Sequence, residues 1–96
     1  MKMVMIIYSE GLEGVVKDTL NTHNINIYTK WEKVIGQGEL SDPHHGTHIW
    51  PKSNNILMIA MENEQAKVVF DEIRELRSKY SKEGIKAFAW SVDDMT

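Results

Sequence analysis

At 96 residues the chain is long enough for one domain with a real core, and short enough to gain from association. Its formal charge of −3, with lysines and arginines scattered among acids, calls for neither nucleic acid nor an anionic membrane. The absence of cysteine removes a disulfide framework, a thiol nucleophile and a thiolate metal site. Residues 3–8, Met-Val-Met-Ile-Ile-Tyr, form an unbroken apolar run that reads as a strand buried on both faces. The run is too short for a membrane span or the apolar core of a signal peptide, so a cytoplasmic protein is expected. Ser9 is placed to cap a first helix from about Leu12 to Thr22, where Leu12, Val15, Val16 and Leu20 recur at helical spacing and Lys17 and Asp18 face out. Gly14 weakens this helix slightly, and Asn24 and Asn26 suit the turn that leaves it.

From Ile25 to Ile35 the period shortens to two. Ile25, Ile27, Thr29 and Trp31 fall on one side, and Lys30, Glu32 and Lys33 are mixed in on the other, as in a half-buried edge strand. Gly36 to Asn54 then shows neither helical nor strand periodicity. At that length it exceeds the roughly 12–15 residues usual for a structureless connection. It holds three of the four histidines, both prolines, three of the six glycines and one tryptophan, a composition that suits contact with something better than a disordered linker. Asn55 to Met61 is a second two-sided apolar strand. Asn63 is placed to cap a second helix with Glu64 and Gln65 in its first turn, and Ala66, Val69, Phe70, Ile73, Leu76 and Tyr80 form its buried stripe. Its wet face carries Arg74, Glu75, Arg77 and Lys79. After Gly84, Ile85 to Val92 is a last strand with Phe88 and Trp90, and an acidic tail closes the sequence.

The order is βαββαβ, an α+β, ferredoxin-like arrangement in which both helices cover one face of a four-stranded antiparallel sheet. The strands at 3–8, 56–61 and 87–90 are apolar on both faces, although helices can shield only one. At about 25 cal/mol per Å², several Met, Ile and Phe side chains left wet would cost several kcal/mol, so the second face is expected to be covered by another subunit.

With that order and the long loop between the second and third strands, the chain resembles the PII-like signalling superfamily, over nearly its whole length. The residues that carry the likeness are Lys2-Met3-Val4-Met5-Ile6-Ile7, the run Trp31-Glu32-Lys33-Val34-Ile35-Gly36-Gln37-Gly38, and Phe88-Ala89-Trp90-Ser91-Val92-Asp93-Asp94. The CutA-like trimers share the fold. The resemblance implies one PII-like domain over 1–96, a homotrimer with inward-facing sheets, and small-molecule effectors bound in clefts between subunits. It also implies that residues 36–54 act as a T-loop reaching a partner such as a membrane transporter or a regulatory enzyme. By position, Gly36 and Gly38 are the hinge, Gln37 and Gly38 line the cleft, and Lys82, Gly84 and Lys86 face it. The stretch Ser81-Lys82-Glu83-Gly84-Ile85-Lys86 stands where the family has a glycine-rich loop that holds nucleotide phosphates. Here Glu83 puts an acid where phosphate would sit, so an adenine nucleotide is one candidate effector in a diverged site. The loop has no tyrosine, so the uridylylation known in some of the family has no acceptor in it.

His44, His45 and His48 have a spacing that converges on one metal if the loop turns at Gly46. Neutral imidazoles suit Zn, Cu, Ni or Co, and Glu39 or Asp42 would complete the shell. The alternatives are surface histidines in ordinary hydrogen bonds, or ligands of an anionic effector. A divalent metal protein of related fold, linked to heavy-metal tolerance, is the second functional expectation. Trp50-Pro51 suits packing at the loop base better than stacking on an adenine, Trp31 and Trp90 suit core or interface, and His23 suits a charge partner for the end of the first helix. Tyr28 and Tyr80 have no acid–base companion in the pattern. The adjacent carboxylates Asp71-Glu72 and Asp93-Asp94 fall on a helix face and in a tail. No nucleophile, base and orienting group come together, so the expectation is a regulator and not an enzyme.

Overall fold

The computed structural model describes residues 1–37 and 52–96, without the side chain of Lys52. Strand β1, Lys2–Ser9, buries alternate residues: Val4, Ile6 and Tyr8 are fully buried, and Met3, Met5 and Ile7 are half-buried on the other side. The strand passes into a 3₁₀ turn, Glu10–Leu12, whose first N–H groups need acceptors. Ser9 Oγ supplies one, taking the Gly11 N–H at 3.4 Å. Helix α1, Glu13–Thr22, follows and buries Val16 and Leu20, with Leu12 just before it.

The residues after α1 do not begin a strand at Ile25. Asn24 adopts a left-handed conformation at φ 58°, the Asn24 N–H bonds the Asn21 carbonyl at 3.0 Å, and the Ile25 N–H bonds the Leu20 carbonyl at 2.9 Å. These two bonds form a Schellman closure, with Ile25 folded back beside the helix it ends and only 5% exposed. Strand β2, Thr29–Gly36, therefore starts four residues later than its alternation suggests, and Ile27 is left 84% exposed in the connection. The apolar alternation of Ile25 and Ile27 was a helix-stop signal followed by a surface residue.

Strand β3, Lys52–Met61, repeats the pattern of β1, with Asn55, Leu57, Ile59 and Met61 buried. Helix α2, Asn63–Lys79, buries Ala66, Val69, Ile73 and Leu76 and half-buries Phe70, and its C-cap Tyr80 is half-buried just beyond it. Its cap position is Glu62, whose side chain makes no capping bond. Asn63 is instead the first helical residue, and its Oδ1 accepts a hydrogen bond from the N-terminal ammonium at 3.1 Å. Strand β4, Ile85–Ser91, completes a four-stranded sheet in the order β2-β3-β1-β4, with antiparallel neighbours throughout.

One side of this sheet is packed. Buried residues of β1, β3, β4 and both helices form a single apolar cluster. The register places the other strand residues together on the opposite side: Met3 with Ala60 and Trp90, Met5 with Met58, Phe88 and Thr29, and Ile7 with Ile56, Lys86 and Trp31. Within the chain, Trp31, Phe88 and Trp90 are 46%, 49% and 45% exposed, so the two tryptophans are not core residues of a single copy.

The left-handed turn at Asn24 gives a test of the α1 closure. Asn24→Val should cost about 1–2 kcal/mol, because a β-branched residue resists positive φ, whereas Asn24→Gly should be near neutral. Urea denaturation of the two variants should show midpoints separated in that order.

Candidate effector site and loop stem

The carboxyl ends of β1 and β2 and the amino ends of β3 and β4 lie at the same end of the sheet, as antiparallel pairing requires. Residues 38–51, between β2 and β3, therefore leave from and return to that end. Gly36 pairs with Lys52, and a Cβ on Gly36 would run into the side-chain amide of Asn54, which lies over its backbone. Gln37 follows it, exposed.

The other expected effector residues lie at the same end but on the far edge. Gly84 accepts the Ser9 N–H at 2.9 Å and so fixes the start of β4 against the end of β1. Lys86 pairs with Ile7 on the open side, and Lys82 is exposed in the α2–β4 connection. Sheet order puts β3 and β1 between the two groups, so Gly36 and Gly84 are separated by about three strand spacings, roughly 14 Å. The structure thus brings Gly36 and Gln37 together at one edge, and Lys82, Gly84 and Lys86 at the other. Gly38, Glu39, Asp42, His44, His45, His48, Trp50 and Pro51 lie outside the described residues. Among the described residues no three His, Asp or Glu side chains are grouped to hold a metal.

Between the two edges stand acids. Glu10 Oε1 accepts from Ser53 Oγ at 2.9 Å, tying the 3₁₀ turn to the start of β3. The Glu83 carboxylate packs against Gly11, where an added Cβ would meet its Oε2 at 3.6 Å. Glu83 therefore lies against the beginning of α1, where its charge also suits the helix dipole.

Sequence reading missed a polar cluster directly beneath the loop stem. The Tyr8 hydroxyl, on a fully buried side chain, donates to Glu13 Oε1 at 2.6 Å. Asn55 Nδ2 donates to the same oxygen at 3.0 Å, Lys30 Nζ meets Glu13 Oε2 at 2.5 Å, and Asn55 Oδ1 accepts the Lys33 N–H at 3.1 Å. Next to it, Lys17 bonds the Tyr28 hydroxyl and stands 4.6 Å from its ring centre. Glu13 and Lys17, one turn apart on α1, thus hold down the edge strand β2 and the residue before it. The one available signal was Asn55, a polar residue in an otherwise apolar run.

These contacts shift three titrations. Burial alone would raise Glu13, but hydrogen bonds from Lys30, Tyr8 and Asn55 outweigh it and hold the carboxyl below its ordinary value. Lys30 is raised by its bond to Glu13. Tyr8 is raised, first by burial and then by its bond to the Glu13 carboxylate.

The sequence profile of the family described as Nitrogen regulatory protein P-II matches residues 1–96. No curated protein sequence matches the chain. Among solved structures, the PII-like protein CPII from Thiomonas intermedia K12, bound to ADP, AMP and bicarbonate, is similar at 14% identity with a TM-score of 0.68. That match covers 99% of this chain and 94% of that one. The apo form of CPII matches at 12% identity and TM-score 0.66, over 95% of this chain and 89% of that one. A PII-like signalling protein from Thermus thermophilus matches at 18% identity and TM-score 0.67, over 95% and 84% of the two chains. At these identities the likeness is one of fold.

The Glu13 cluster should shape the pH dependence of stability. Glu13 has a folded value below its unfolded one, so its contribution is complete above the ordinary glutamate range near pH 4 and is lost as pH falls through the folded value. Lys30 and Tyr8 are raised, so theirs is complete below about pH 10 and lost as pH rises through their folded values. Thermal melts across pH should therefore decline on both flanks. In Glu13→Gln the acid limb should flatten, and in Tyr8→Phe the neutral plateau should drop by about 1–2 kcal/mol.

Proposed function

Because the chain belongs to the nitrogen regulatory protein P-II family, we propose that it is a small non-enzymatic regulator in the cytoplasm. In this reading it forms a homotrimer over residues 1–96, binds a small effector in the clefts between subunits, and signals through residues 36–54. The observation that carries this reading is the open side of the sheet. Met3, Met5, Ile7, Ile56 and Met58, with Trp31, Phe88 and Trp90, make an apolar face that the chain's own helices do not reach. Association of three copies through these faces removes the face from water, at about 25 cal/mol for each Å² of apolar area.

The effector site is assigned to Gly36, Gln37, Gly38, Lys82, Gly84 and Lys86, around the loop end of the sheet. Lys82 and Lys86 are exposed there, and neither pairs with a carboxylate among the described residues, so both are available to an anionic ligand. CPII, of the same fold, is bound to ADP, AMP and bicarbonate, which supports an adenine nucleotide as the first class to test. Glu83 weighs against the most highly phosphorylated member of that class, because its charge repels an added phosphate. Ligand binding at the base of residues 36–54 would change what that loop presents to a partner protein, an arrangement used by other switch loops.

Sedimentation velocity should give a species three times the 11.1 kDa chain mass. Replacing Phe88 and Trp90 together with Asp should leave monomer. Thermal unfolding with AMP, ADP or ATP, each with and without bicarbonate, should show a shift of about 2.7 kcal/mol for a nucleotide at 100 times its Kd. Lys82→Ala with Lys86→Ala should abolish that shift. A monomeric unaltered protein, or no shift with any of these ligands, would overturn the corresponding half of the reading.

A further inference from the structure

Strand β2 changes phase once along its length. Thr29, Lys30 and Trp31 face Met58, Leu57 and Ile56, but Val34, Ile35 and Gly36 face Asn54, Ser53 and Lys52. Glu32 and Lys33 therefore share one opposing residue, Asn55, and form a β-bulge. Because strand side chains alternate, one extra residue exchanges the two faces. Thr29 and Trp31 stand on the open side before the bulge, and Val34 and Gly36 after it.

A bulge strains the backbone and orphans an N–H. The strain is visible at Lys33, whose φ is 56°, in a conformation that a lysine does not favour. The orphaned N–H is that of Lys33, and Asn55 Oδ1 accepts it at 3.1 Å. Asn55 is 4% exposed and its Nδ2 donates to Glu13 Oε1 at 3.0 Å. The amide cannot be turned over, because its NH₂ would then meet the Lys33 N–H and its oxygen would meet the Glu13 carboxylate. Glu13 is held in turn by Tyr8 and Lys30. The residue opposite the bulge is thus oriented by a partly buried network that reaches from β1 through α1.

We propose that Asn55 and Glu13 form a register latch for β2. Asn55 accepts the bulge N–H, and Glu13 fixes the Asn55 amide in the orientation that can do so. Both are positioning residues. The latched register puts Val34 and Gly36 on the open side of the sheet. The unbulged register would put Lys33, Ile35 and Gln37 there and turn Val34 and Gly36 away. If the open side is covered by neighbouring copies, as proposed above, the unbulged register also places the charge of Lys33 in that interface. The register assignment itself does not rest on that reading. Displacing Glu13 from Lys30 or Asn55 unlatches the strand that leads directly into residues 38–51, so α1 and the loop stem are coupled.

The natural absence of cysteine makes the test direct. Two double variants are compared under mild oxidation: Val34→Cys with Asn54→Cys, and Lys33→Cys with Asn54→Cys. Directly opposed strand residues lie about 4.5–5.5 Å apart at Cα, within disulfide range, whereas side chains on opposite faces cannot reach. The 34/54 pair is expected to close, and the 33/54 pair to close about tenfold more slowly or not at all. Adding Asn55→Leu to each should reverse that preference. An unchanged preference in the Asn55→Leu background would overturn the latch. Where Asn55→Leu does not fold, hydrogen exchange of the Lys33 amide decides: it should quicken by about tenfold in Glu13→Ala, and exchange at the unaltered rate would overturn the proposal.

Discussion

A sheet with apolar side chains on both faces cannot be satisfied by two helices that pack on one. This constraint governs the rest of the molecule. The packed side is complete, with Val4, Ile6, Tyr8, Leu57 and Ile59 below Val16, Leu20, Val69 and Ile73. The open side presents methionines, isoleucines and three large aromatics in register across all four strands. The candidate effector residues sit at one end of this two-sided sheet, on its outer strands, where association of copies would bring edges together. In the proposed trimer, assembly and ligand binding are thus consequences of the same surplus of apolar surface.

The second organising element is one carboxylate. Glu13 is the first residue of α1, and its two oxygens take donors from β1, β2 and β3 at once. This charge is only partly buried, and the hydrogen bonds from three strands offset the cost of taking it partly out of water. Its effect is spatial as much as energetic. It holds the edge strand to the helix layer, and through Asn55 it holds the kink in that strand. The end of the sheet from which residues 38–51 depart is therefore built from the inside outward.

Much of the fold was legible from side-chain period alone. The two-sided runs at 3–8 and 55–61 are strands, the stripe from Ala66 to Leu76 is the buried face of α2, and the order βαββαβ gave the topology. Errors arose where one residue type serves two physical ends. Ile25 matched a strand period, yet it completes the Schellman closure that Asn24 makes possible. Asn63 had the chemistry of a cap but lies one residue inside the helix and bonds the N-terminal ammonium. The Glu13 cluster left only Asn55 as a trace, because its members are spread over positions 8, 13, 30 and 55. Sequence spacing carries no record of such a meeting until the sheet order is known. Of the expected site, Gly36, Gln37, Lys82, Gly84 and Lys86 are placed at one end of the sheet. The histidines and Gly38 lie outside the described residues.

The sheet order also bears on how the chain is made. β1 is synthesised first, yet it sits between β3 and β4, and Lys2 is bonded to Ser91 across 89 positions of sequence. Neither neighbour of β1 exists until the second half of the chain has been translated. At a few to some twenty residues per second, an apolar segment waits several seconds on the ribosome without its partners. This apolar stretch is thus the strand longest at risk of pairing with the wrong partner. Its pairing on both edges is complete only after the last strand has emerged, a topology that favours slow, chain-wide closure over local folding.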